Sequence, residues 1–296
     1  MSNRTGSTYE SWTTRKLLAW TTDYFAKKKI DSPRLASEML LSHVTGLPRL
    51  NLYMDPNRPA SDLERAAFGD LVKRAARHEP VDYLVGRAPF FSMMLKVDPS
   101  VLIPRPSTET LVEHVIQHAR RTPGFGSPLV ADVGTGSGAI AIAVAKHAPG
   151  ARLIATDVSE AALKIARENA AAQGVTDRIE FHQGELLEPL EGQRPQYLVS
   201  NPPYISDDEW EQVPPNVKNF EPAEALRGGT DGLRCLRPII GQARPYLEQP
   251  GQLVLEIAAS QEQKVLDLAR ATAGLGNAHI LADHEGRPRV LVADAV

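Results

Sequence analysis

Asp132-Val133-Gly134-Thr135-Gly136-Ser137-Gly138 is the stretch of sequence that decides the fold. It lies between a short apolar run at 129–133, typical of a buried strand, and an apolar run at 138–147, typical of a buried helix. The glycines let the chain turn tightly and let a ligand approach the backbone. The helix start beyond them offers free N–H groups. The stretch therefore predicts an α/β fold with a nucleotide pocket where its first strand ends.

The sequence after this loop continues to alternate strand-like and helix-like runs. Strands are predicted at 129–133, 152–156, 178–182, 196–200, 252–257, 278–282 and 289–292. Helices are predicted at 138–147, 159–173, 231–247 and 260–273. This alternation predicts a Rossmann-like, doubly wound sheet with helices on both faces. The stretch 207–229 shows no clear periodicity, and a loop of that length inside a domain is usually functional.

The first part of the chain is predicted to be a separate helical domain, residues 1–80. Helical spacing of aromatic and aliphatic residues predicts a helix at 9–28. Asp31-Ser32-Pro33 places a capping residue before a proline, which marks the start of a second helix. Ser61-Asp62-Leu63-Glu64 fits a capping box that opens a further helix, to about residue 78. These amphipathic helices predict a small bundle for recognition or packing.

Between the bundle and the α/β domain, residues 81–106 are predicted to be a linker. Two short strands, 90–97 and 101–103, are predicted to form a hairpin joined at Asp98-Pro99-Ser100. The α/β domain then occupies 107–296 and is predicted to begin with a helix at 107–121.

Composition restricts the class of protein. Of 296 residues, 42% are hydrophobic and 23% charged, as in ordinary globular proteins. The formal net charge of −3 argues against direct binding of nucleic acid over the whole surface. Cys235 is the single cysteine, so an intrachain disulfide is impossible and a reducing compartment is expected. No apolar run approaches the roughly 18 residues of a membrane span. We expect a cytoplasmic protein.

The tetrapeptide Asn201-Pro202-Pro203-Tyr204 is the second feature that carries chemistry. Two consecutive prolines cannot continue a strand ladder, so the backbone leaves the sheet after 196–200. The result is a rigid corner that presents the Asn201 amide, a proline carbonyl and an aromatic ring at a carboxyl strand end. Two acceptors and an aromatic wall suit a planar –NH2 group.

Three acids are placed to bind a nucleotide-like cofactor. Asp157 ends the strand after the loop, about twenty residues on, where an acid commonly binds ribose hydroxyls. Glu185 follows the third strand, where it can accept from an adenine amino group. Asp132 can face an ammonium or sulfonium group but is unhelpful beside a pyrophosphate. The loop also satisfies the G-x-G-x-x-A dinucleotide fingerprint, so a dehydrogenase stays open, although Asp132 and Glu185 favour S-adenosylmethionine.

Together these residues resemble the class I S-adenosylmethionine-dependent methyltransferases. More narrowly, the chain resembles the release factor glutamine N5-methyltransferases, also called the HemK family. The matching blocks are Ile30-Asp31-Ser32-Pro33-Arg34, Glu79-Pro80-Val81-Asp82-Tyr83-Leu84-Val85-Gly86, Val101-Leu102-Ile103-Pro104-Arg105-Pro106, the glycine loop, the Asn-Pro-Pro-Tyr corner, Phe220-Glu221-Pro222 and Gly228-Gly229-Thr230-Asp231-Gly232-Leu233. Ser107 stands where this family usually has Glu, and Glu185 stands where Asp is common.

The resemblance implies a substrate, the glutamine of the Gly-Gly-Gln loop in class I peptide chain release factors. It also implies a helical N-terminal domain that docks the release factor, a β-hairpin linker, and a seven-stranded sheet whose last strand is antiparallel. The cofactor contacts that it implies are Gly134, Thr135, Gly136, Ser137, Gly138, Asp157, Leu186 and Asn201. The glutamine contacts that it implies are Asn201, Pro202, Pro203 and Tyr204, of which Asn201, Pro202 and Tyr204 are expected to act in catalysis.

Other interpretations are weaker. The same corner occurs in enzymes that methylate the exocyclic amine of adenine in DNA or RNA, and a ribosomal-protein glutamine is another possible acceptor. A non-catalytic adaptor for release factors would not need the intact corner and loop. No metal is expected, and His114 and His118 are interpreted as residues of a surface helix. Gln261-Glu262-Gln263-Lys264 is interpreted as a solvated helix face. We expect a monomer.

Overall fold

The chain folds as two units, Met1–Gly86 and Arg87–Val296, in a computed structural model that describes residues 11–296. The division falls at Gly86, whereas the sequence predicted domain boundaries at residues 80 and 106. The first two positions of the helix predicted at 9–28 lie outside the described residues.

The first unit is a bundle of short helices. Its helices are α1 (Thr14–Lys27), α2 (Pro33–Thr45), α3 (Asn51–Met54), α4 (Asp62–Ala75) and α5 (Val81–Val85). The predicted capping box is present: Glu64 N–H donates to Ser61 Oγ at 3.2 Å, and Ser61 N–H donates to Glu64 Oε2 at 2.8 Å. These bonds satisfy amide groups that a helix start otherwise leaves unpaired. Apolar faces of the helices meet in a core that includes Phe25, Leu40 and Phe68.

The start of α2 differs from the prediction. Pro33 occupies the first helical position, as predicted, but the Ser32 side chain does not cap the helix. Ser32 has φ 46°, in the left-handed region, so its hydroxyl is not in the extended geometry that side-chain caps use. The proline alone marks this start.

The second unit opens with a tight hairpin, β1 (Arg87–Phe90) and β2 (Met93–Lys96). The predicted pairing of 90–97 with 101–103 is wrong. Phe91 and Ser92 both have positive φ, and Phe90 faces Met93, so the chain reverses within two residues. The 101–103 segment joins no strand; the Ile103 N–H donates to Glu221 Oε2 at 3.1 Å instead.

A seven-stranded sheet forms the centre of the second unit. Its strand order is β10-β11-β9-β6-β3-β4-β5, with β11 antiparallel to both of its neighbours and the pairs from β9 to β5 parallel. This confirms the predicted Rossmann-like seven-stranded sheet. Its strands are β3 (Leu129–Val133), β4 (Arg152–Asp157), β5 (Ile179–Gln183), β6 (Tyr197–Ser200), β9 (Gln252–Glu256), β10 (Leu275–Ala282) and β11 (Pro288–Ala295).

Helices cover both faces because neighbouring residues of a buried strand point to opposite sides. In β3, Val130 belongs to one apolar cluster and Ala131 to the other. The first cluster contains residues of α6 (Glu109–Arg121), α7 (Ala139–His147) and α8 (Glu160–Gln173); the second contains residues of α11 (Leu236–Gln242) and α12 (Glu262–Ala271). No helix within residues 11–296 is both long and apolar enough to cross a bilayer.

The stretch 207–229 is more ordered than its sequence predicted. It holds α9 (Asp207–Trp210), α10 (Pro215–Lys218) and β8 (Arg227–Gly229), and β8 pairs with β7 (Ile205–Ser206). The helix predicted at 231–247 is shorter than expected, because a turn with Gly232 at φ +75° precedes α11. The Leu233 N–H donates to Asp231 Oδ1 at 3.0 Å and completes that turn.

Candidate active site

The predicted site residues follow four neighbouring parallel strands at one edge of the sheet. The glycine loop follows β3, Asp157 ends β4, Glu185 lies just after β5, and Asn201 follows β6 directly. Because these strands are parallel and adjacent, their carboxyl ends meet at the same edge. The structure therefore brings the sequence-predicted cofactor and substrate residues together.

The glycine loop has the open geometry that its sequence predicted. Gly134 and Gly136 have φ of +72° and +55°, and a Cβ atom added at either one would meet nothing within 4 Å. Gly138 differs, because a Cβ there would lie 2.8 Å from Ile142 Cδ1 and 3.1 Å from Ala166 Cβ. Gly134 and Gly136 thus leave open space beside the loop, whereas Gly138 lets two helices approach each other.

Most backbone donors of the loop already have partners inside the protein. The Gly134 and Thr135 N–H groups each donate to the Thr156 carbonyl at 2.8 Å, and the Gly136 N–H donates to Asp157 Oδ2 at 2.8 Å. A pyrophosphate would need free donors and no carboxylate at this place. The arrangement argues against the dinucleotide alternative.

Asp132 points into the protein beneath the loop. Its Oδ2 accepts from Thr135 Oγ1 at 2.6 Å and from the Ala141 N–H at 3.1 Å. Its Oδ1 is buried and has no hydrogen-bond partner within residues 11–296. Burial raises the pKa of Asp132 to about 7. Asp132 therefore fastens the loop to the start of α7, and one of its oxygens stays unsatisfied.

Asp157 is half-buried and oriented by backbone donors. Its Oδ2 accepts the Gly136 N–H, and its Oδ1 accepts the Ser159 N–H at 2.9 Å. Burial raises the pKa of Asp157, and these N–H groups oppose that effect. Each carboxylate oxygen keeps a further lone pair that can accept from a ligand hydroxyl.

Glu185 and Leu186, which follow β5 and Gly184, occupy different environments. Glu185 is exposed. Leu186 is partly buried against the second apolar cluster and has φ 48°. For a non-glycine residue the left-handed region costs of the order of 1–3 kcal/mol, so such a conformation persists only where the surroundings enforce it. Backbone strain of this kind is often found where a ligand is clamped.

The Asn-Pro-Pro-Tyr corner (residues 201–204) leaves β6 beside the glycine loop. The Ser200 hydroxyl donates to the Val133 carbonyl at 2.6 Å and ties the end of β6 to the end of β3. Asn201 Nδ2 donates to Thr108 Oγ1 at 3.1 Å. Among residues 11–296, no donor bonds Asn201 Oδ1 or the Pro202 carbonyl oxygen. The corner therefore has two available acceptors.

Tyr204 is fixed in its neutral form. Its hydroxyl donates to Glu256 Oε1 at 3.3 Å, and its ring packs against the second apolar cluster. Burial, together with the nearby charge of Glu256, raises the pKa of Tyr204 above its ordinary value. Tyr204 thus remains protonated at neutral pH and cannot act as a base. Pro203 is partly exposed and Pro202 is buried.

Three residues that support the corner were not predicted from the sequence. Thr108 and Glu256 form a hydrogen-bond chain that ends on Asn201, and Ser107 Oγ also donates to Glu256 Oε1, at 3.2 Å. Glu256 ends β9, next to β6 in the sheet, and this strand position is the one sequence signal that could have identified it. Ser107, which departs from the usual Glu of the family, is therefore a hydroxyl partner of a buried acid.

Gln261 is a further missed residue, and its interpretation as part of a solvated face is wrong. It is 3% exposed, and its Nε2 donates to the carbonyl oxygens of Tyr204, at 2.9 Å, and Gly232, at 3.0 Å. The turn of a 3₁₀-helix that precedes α12 directs the side chain inward. The neighbouring Gln263 and Lys264 are exposed, as predicted.

Two blocks that carried the family resemblance meet in the structure. Arg105 Nη2 lies 2.5 Å from Glu221 Oε1, and the other oxygen of Glu221 accepts the Ile103 N–H at 3.1 Å. The Glu221 side chain is almost fully buried. This ion pair fastens the segment before Thr108 to the stretch that follows the corner.

The histidines of α6 lie in a structural network and not on a solvated helix surface. His114 Nε2 lies 3.0 Å from Gln252 Oε1, and His118 Nδ1 lies 2.6 Å from Tyr197 Oη. Both imidazoles are partly buried, and burial lowers the pKa of each. In the part of the chain that the structure describes, no three His, Cys, Asp or Glu side chains are arranged to hold a metal ion.

The site fits S-adenosylmethionine by the chemistry of its groups. The open space at Gly134 and Gly136 lets a ligand lie against the loop. The carboxylates of Asp157 and Glu185 are acceptors of the kind that ribose hydroxyls and an adenine amino group require. Beneath the loop, Asp132 Oδ1 is a buried oxygen with no hydrogen-bond partner in residues 11–296.

Two protein-family models match parts of the chain. Residues 16–86 match the PrmC N-terminal domain family, and residues 106–215 match the methyltransferase small domain family. A protein of Rhodopirellula baltica named release factor glutamine methyltransferase is 39% identical over 282 residues, which cover 95% of each chain. A protein of the same name from Geobacter sulfurreducens is 40% identical and covers 95% of this chain and 96% of its own.

A solved structure shares the fold. A methyltransferase from Pyrococcus furiosus has a TM-score of 0.50 at 16% identity, covering 68% of this chain and 87% of that chain. At this identity the likeness concerns the fold alone. The relatives that align along nearly the whole chain are much more similar in sequence, and the chain belongs to the release factor glutamine methyltransferase family.

Proposed function

We propose that this site transfers a methyl group from S-adenosylmethionine to the side-chain amide nitrogen (N5) of the glutamine in the Gly-Gly-Gln loop of class I peptide chain release factors. One observation carries the proposal. Asn201 Oδ1 and the Pro202 carbonyl oxygen are two available acceptors beside the glycine loop, and a primary amide has two N–H donors. The names of the relatives supply the identity of the substrate protein.

Residues at four strand ends would hold the cofactor. The loop from Gly134 to Gly138 would lie against it, Asp157 would accept from its ribose hydroxyls, and Glu185 would accept from its adenine amino group. When bound, S-adenosylmethionine supplies a methyl group carried on a positively charged sulfur. Leu186, at its enforced φ of 48°, would present its backbone to the adenine.

The Asn-Pro-Pro-Tyr corner would orient the glutamine. An amide nitrogen is a poor nucleophile because its lone pair is delocalised into the carbonyl. Asn201 Oδ1 and the Pro202 carbonyl would each accept one N–H and hold the nitrogen in an attacking position. Their negative ends would stabilise the positive charge that develops on nitrogen as its new bond forms. No proton has to leave beforehand; one leaves the nitrogen after transfer.

Tyr204 would act as a wall and not as a base. Its phenol is protonated and engaged with Glu256, so the ring can pack against the amide plane and exclude water. Residues 16–86, which match the PrmC N-terminal domain family, would dock the release factor. We further propose that the protein works as a cytoplasmic monomer without direct contact to nucleic acid.

The test is methyl transfer from labelled S-adenosylmethionine to a purified class I release factor. The matched control is the same factor with its Gly-Gly-Gln glutamine changed to alanine. Label on the first and none on the second is the expected result. If neither protein takes label while the enzyme still binds S-adenosylhomocysteine, the acceptor is wrong, and an adenine in DNA or RNA or a ribosomal-protein glutamine is the next candidate.

A further inference from the structure

We infer that Thr108 and Glu256 are positioning residues that fix which end of the Asn201 amide faces the substrate. Neither residue is assumed to touch the glutamine or the cofactor. The catalytic consequence of this inference rests on the proposed function, but the orientation of Asn201 can be tested without it.

A chain of two hydrogen bonds leads from Asn201 to the buried acid. Asn201 Nδ2 lies 3.1 Å from Thr108 Oγ1, and Thr108 Oγ1 lies 2.5 Å from Glu256 Oε2. A hydroxyl has a single proton. When Thr108 gives that proton to Glu256, it can only accept from Asn201. The side chain of Asn201 must then present its NH2 group to Thr108.

The direction of donation along these two hydrogen bonds is set at their buried end, Glu256. Thr108 is 4% exposed and Glu256 is 0% exposed. The Glu256 carboxylate accepts from the hydroxyls of Thr108, Ser107 and Tyr204. Burial raises the pKa of Glu256, and these hydroxyls and the nearby charge of Arg289 oppose that effect only in part. Ser107 and Tyr204 both bond Oε1 of Glu256, whereas Thr108 bonds Oε2, so Oε2 is the oxygen that accepts the Thr108 proton and donation runs from Asn201 to Glu256.

Burial makes the alternative orientation of Asn201 costly. If the amide turned over, its Oδ1 would face the lone pairs of Thr108 Oγ1, and both oxygens would lack a donor. A buried polar group without a hydrogen-bond partner is destabilising. The orientation that remains directs Oδ1 away from Thr108, toward the side where no group of residues 11–296 bonds it. That is the orientation an amide N–H donor requires.

The first test is a set of single substitutions in the full chain. Thr108→Val keeps the shape and removes the hydroxyl; we expect kcat for labelled methyl transfer to fall about ten- to a hundredfold. We expect the Kd for S-adenosylhomocysteine to stay within about twofold. Thr108→Ser should restore most of the rate. The control is Thr110→Val, because Thr110 Oγ1 is also buried in α6 but has no hydrogen-bond partner in the described chain.

The second test is independent of activity. In protein labelled with ¹⁵N at asparagine, the Asn201 side-chain NH2 signals should show slowed hydrogen exchange in the wild type and in Thr110→Val. Thr108→Val should abolish that protection. Full kcat in Thr108→Val, or equal losses of kcat and cofactor affinity, would overturn the inference. If the wild type transfers no methyl to the release factor, the proposed function fails, whereas protected Asn201 NH2 signals would still support the orientation.

Discussion

Gln261 Nε2 donates to the carbonyl oxygen of Tyr204 at 2.9 Å and thereby ties the last residue of the corner to the turn before α12. The same nitrogen donates to the Gly232 carbonyl. Gln261→Ala should leave two carbonyls short of a donor and lower the free energy of unfolding by about 1–3 kcal/mol. Urea denaturation measures this loss. Gln263→Ala, on the exposed face of α12, is the matched control and should change stability by less than about 0.5 kcal/mol.

Gly232 has no room for a side chain. A Cβ there would overlap Gln261 Nε2 and lie 2.5 Å from the Tyr204 carbonyl oxygen, and φ is +75°. Gly232→Ala should therefore displace the corner and reduce methyl transfer by more than about tenfold. Gly241→Ala in α11 meets nothing within 4 Å and should stabilise the protein by about 0.5–1 kcal/mol. A fully active Gly232→Ala enzyme would contradict the close approach.

Asp157→Ala should act mainly on cofactor binding. The substitution removes the acceptors proposed for the ribose and releases the Gly136 N–H. Calorimetric titration with S-adenosylhomocysteine should show affinity at least about tenfold weaker, since hydrogen bonds to a charged group contribute about 1.5–3 kcal/mol. The control is Asp177→Ala, an exposed acid outside the site. Unchanged affinity in Asp157→Ala would count against the ribose contact.

Asn201→Ala should act mainly on transfer. It removes one of the two acceptors proposed for the glutamine amide, whose effect is greatest as charge develops on nitrogen. We expect kcat to fall about a hundredfold or more, with cofactor affinity changed by less than about threefold. Single-turnover transfer and calorimetry on the same preparation separate the two quantities. Equal losses in both would show that Asn201 serves the cofactor and not the substrate.

The buried Asp132 predicts a pH dependence of stability without ligand. Its folded pKa of about 7 lies above the ordinary value of 3.8. An acid with a raised folded pKa contributes stability that is fully present below 3.8 and is lost as pH rises through about 7. The melting temperature should therefore fall between pH 5 and pH 8. It should fall less in Asp132→Asn, which keeps an oxygen to accept from Thr135 and Ala141. Identical pH profiles in both proteins would refute the shift.

The glycine loop, Asp157 and Asn201 could be predicted from sequence because their chemistry is local. A short apolar run followed by glycines, an acid or two prolines marks a strand end, and parallel strands bring such ends to one edge. Glu256 and Thr108 are 148 residues apart, and neither stands in a pattern of its own. Only the placement of β9 beside β6 and the start of α6 near that edge makes them neighbours of Asn201.

The hairpin and Gln261 were mispredicted for different physical reasons. Phe91 and Ser92 adopt positive φ although neither is glycine or asparagine, so the usual turn signal is absent there. Asp98-Pro99-Ser100 does contain residues typical of a turn, and the turn was therefore predicted at 98–100. Gln261 lies among polar neighbours that are exposed, and one turn of 3₁₀-helix before α12 is enough to direct its side chain inward. Periodicity over four residues cannot reveal such a change of direction.

The hydrogen bond from the Ser200 hydroxyl to the Val133 carbonyl holds the ends of β6 and β3 at a fixed distance. The loop assigned to the methyl donor and the corner assigned to the acceptor begin at adjacent ends of two paired, buried strands. Their separation is set by the spacing of paired strands, about 4.7–4.9 Å. The sheet itself would then align the methyl donor with the glutamine that accepts the methyl group. Each turnover would require only that the two molecules bind and leave.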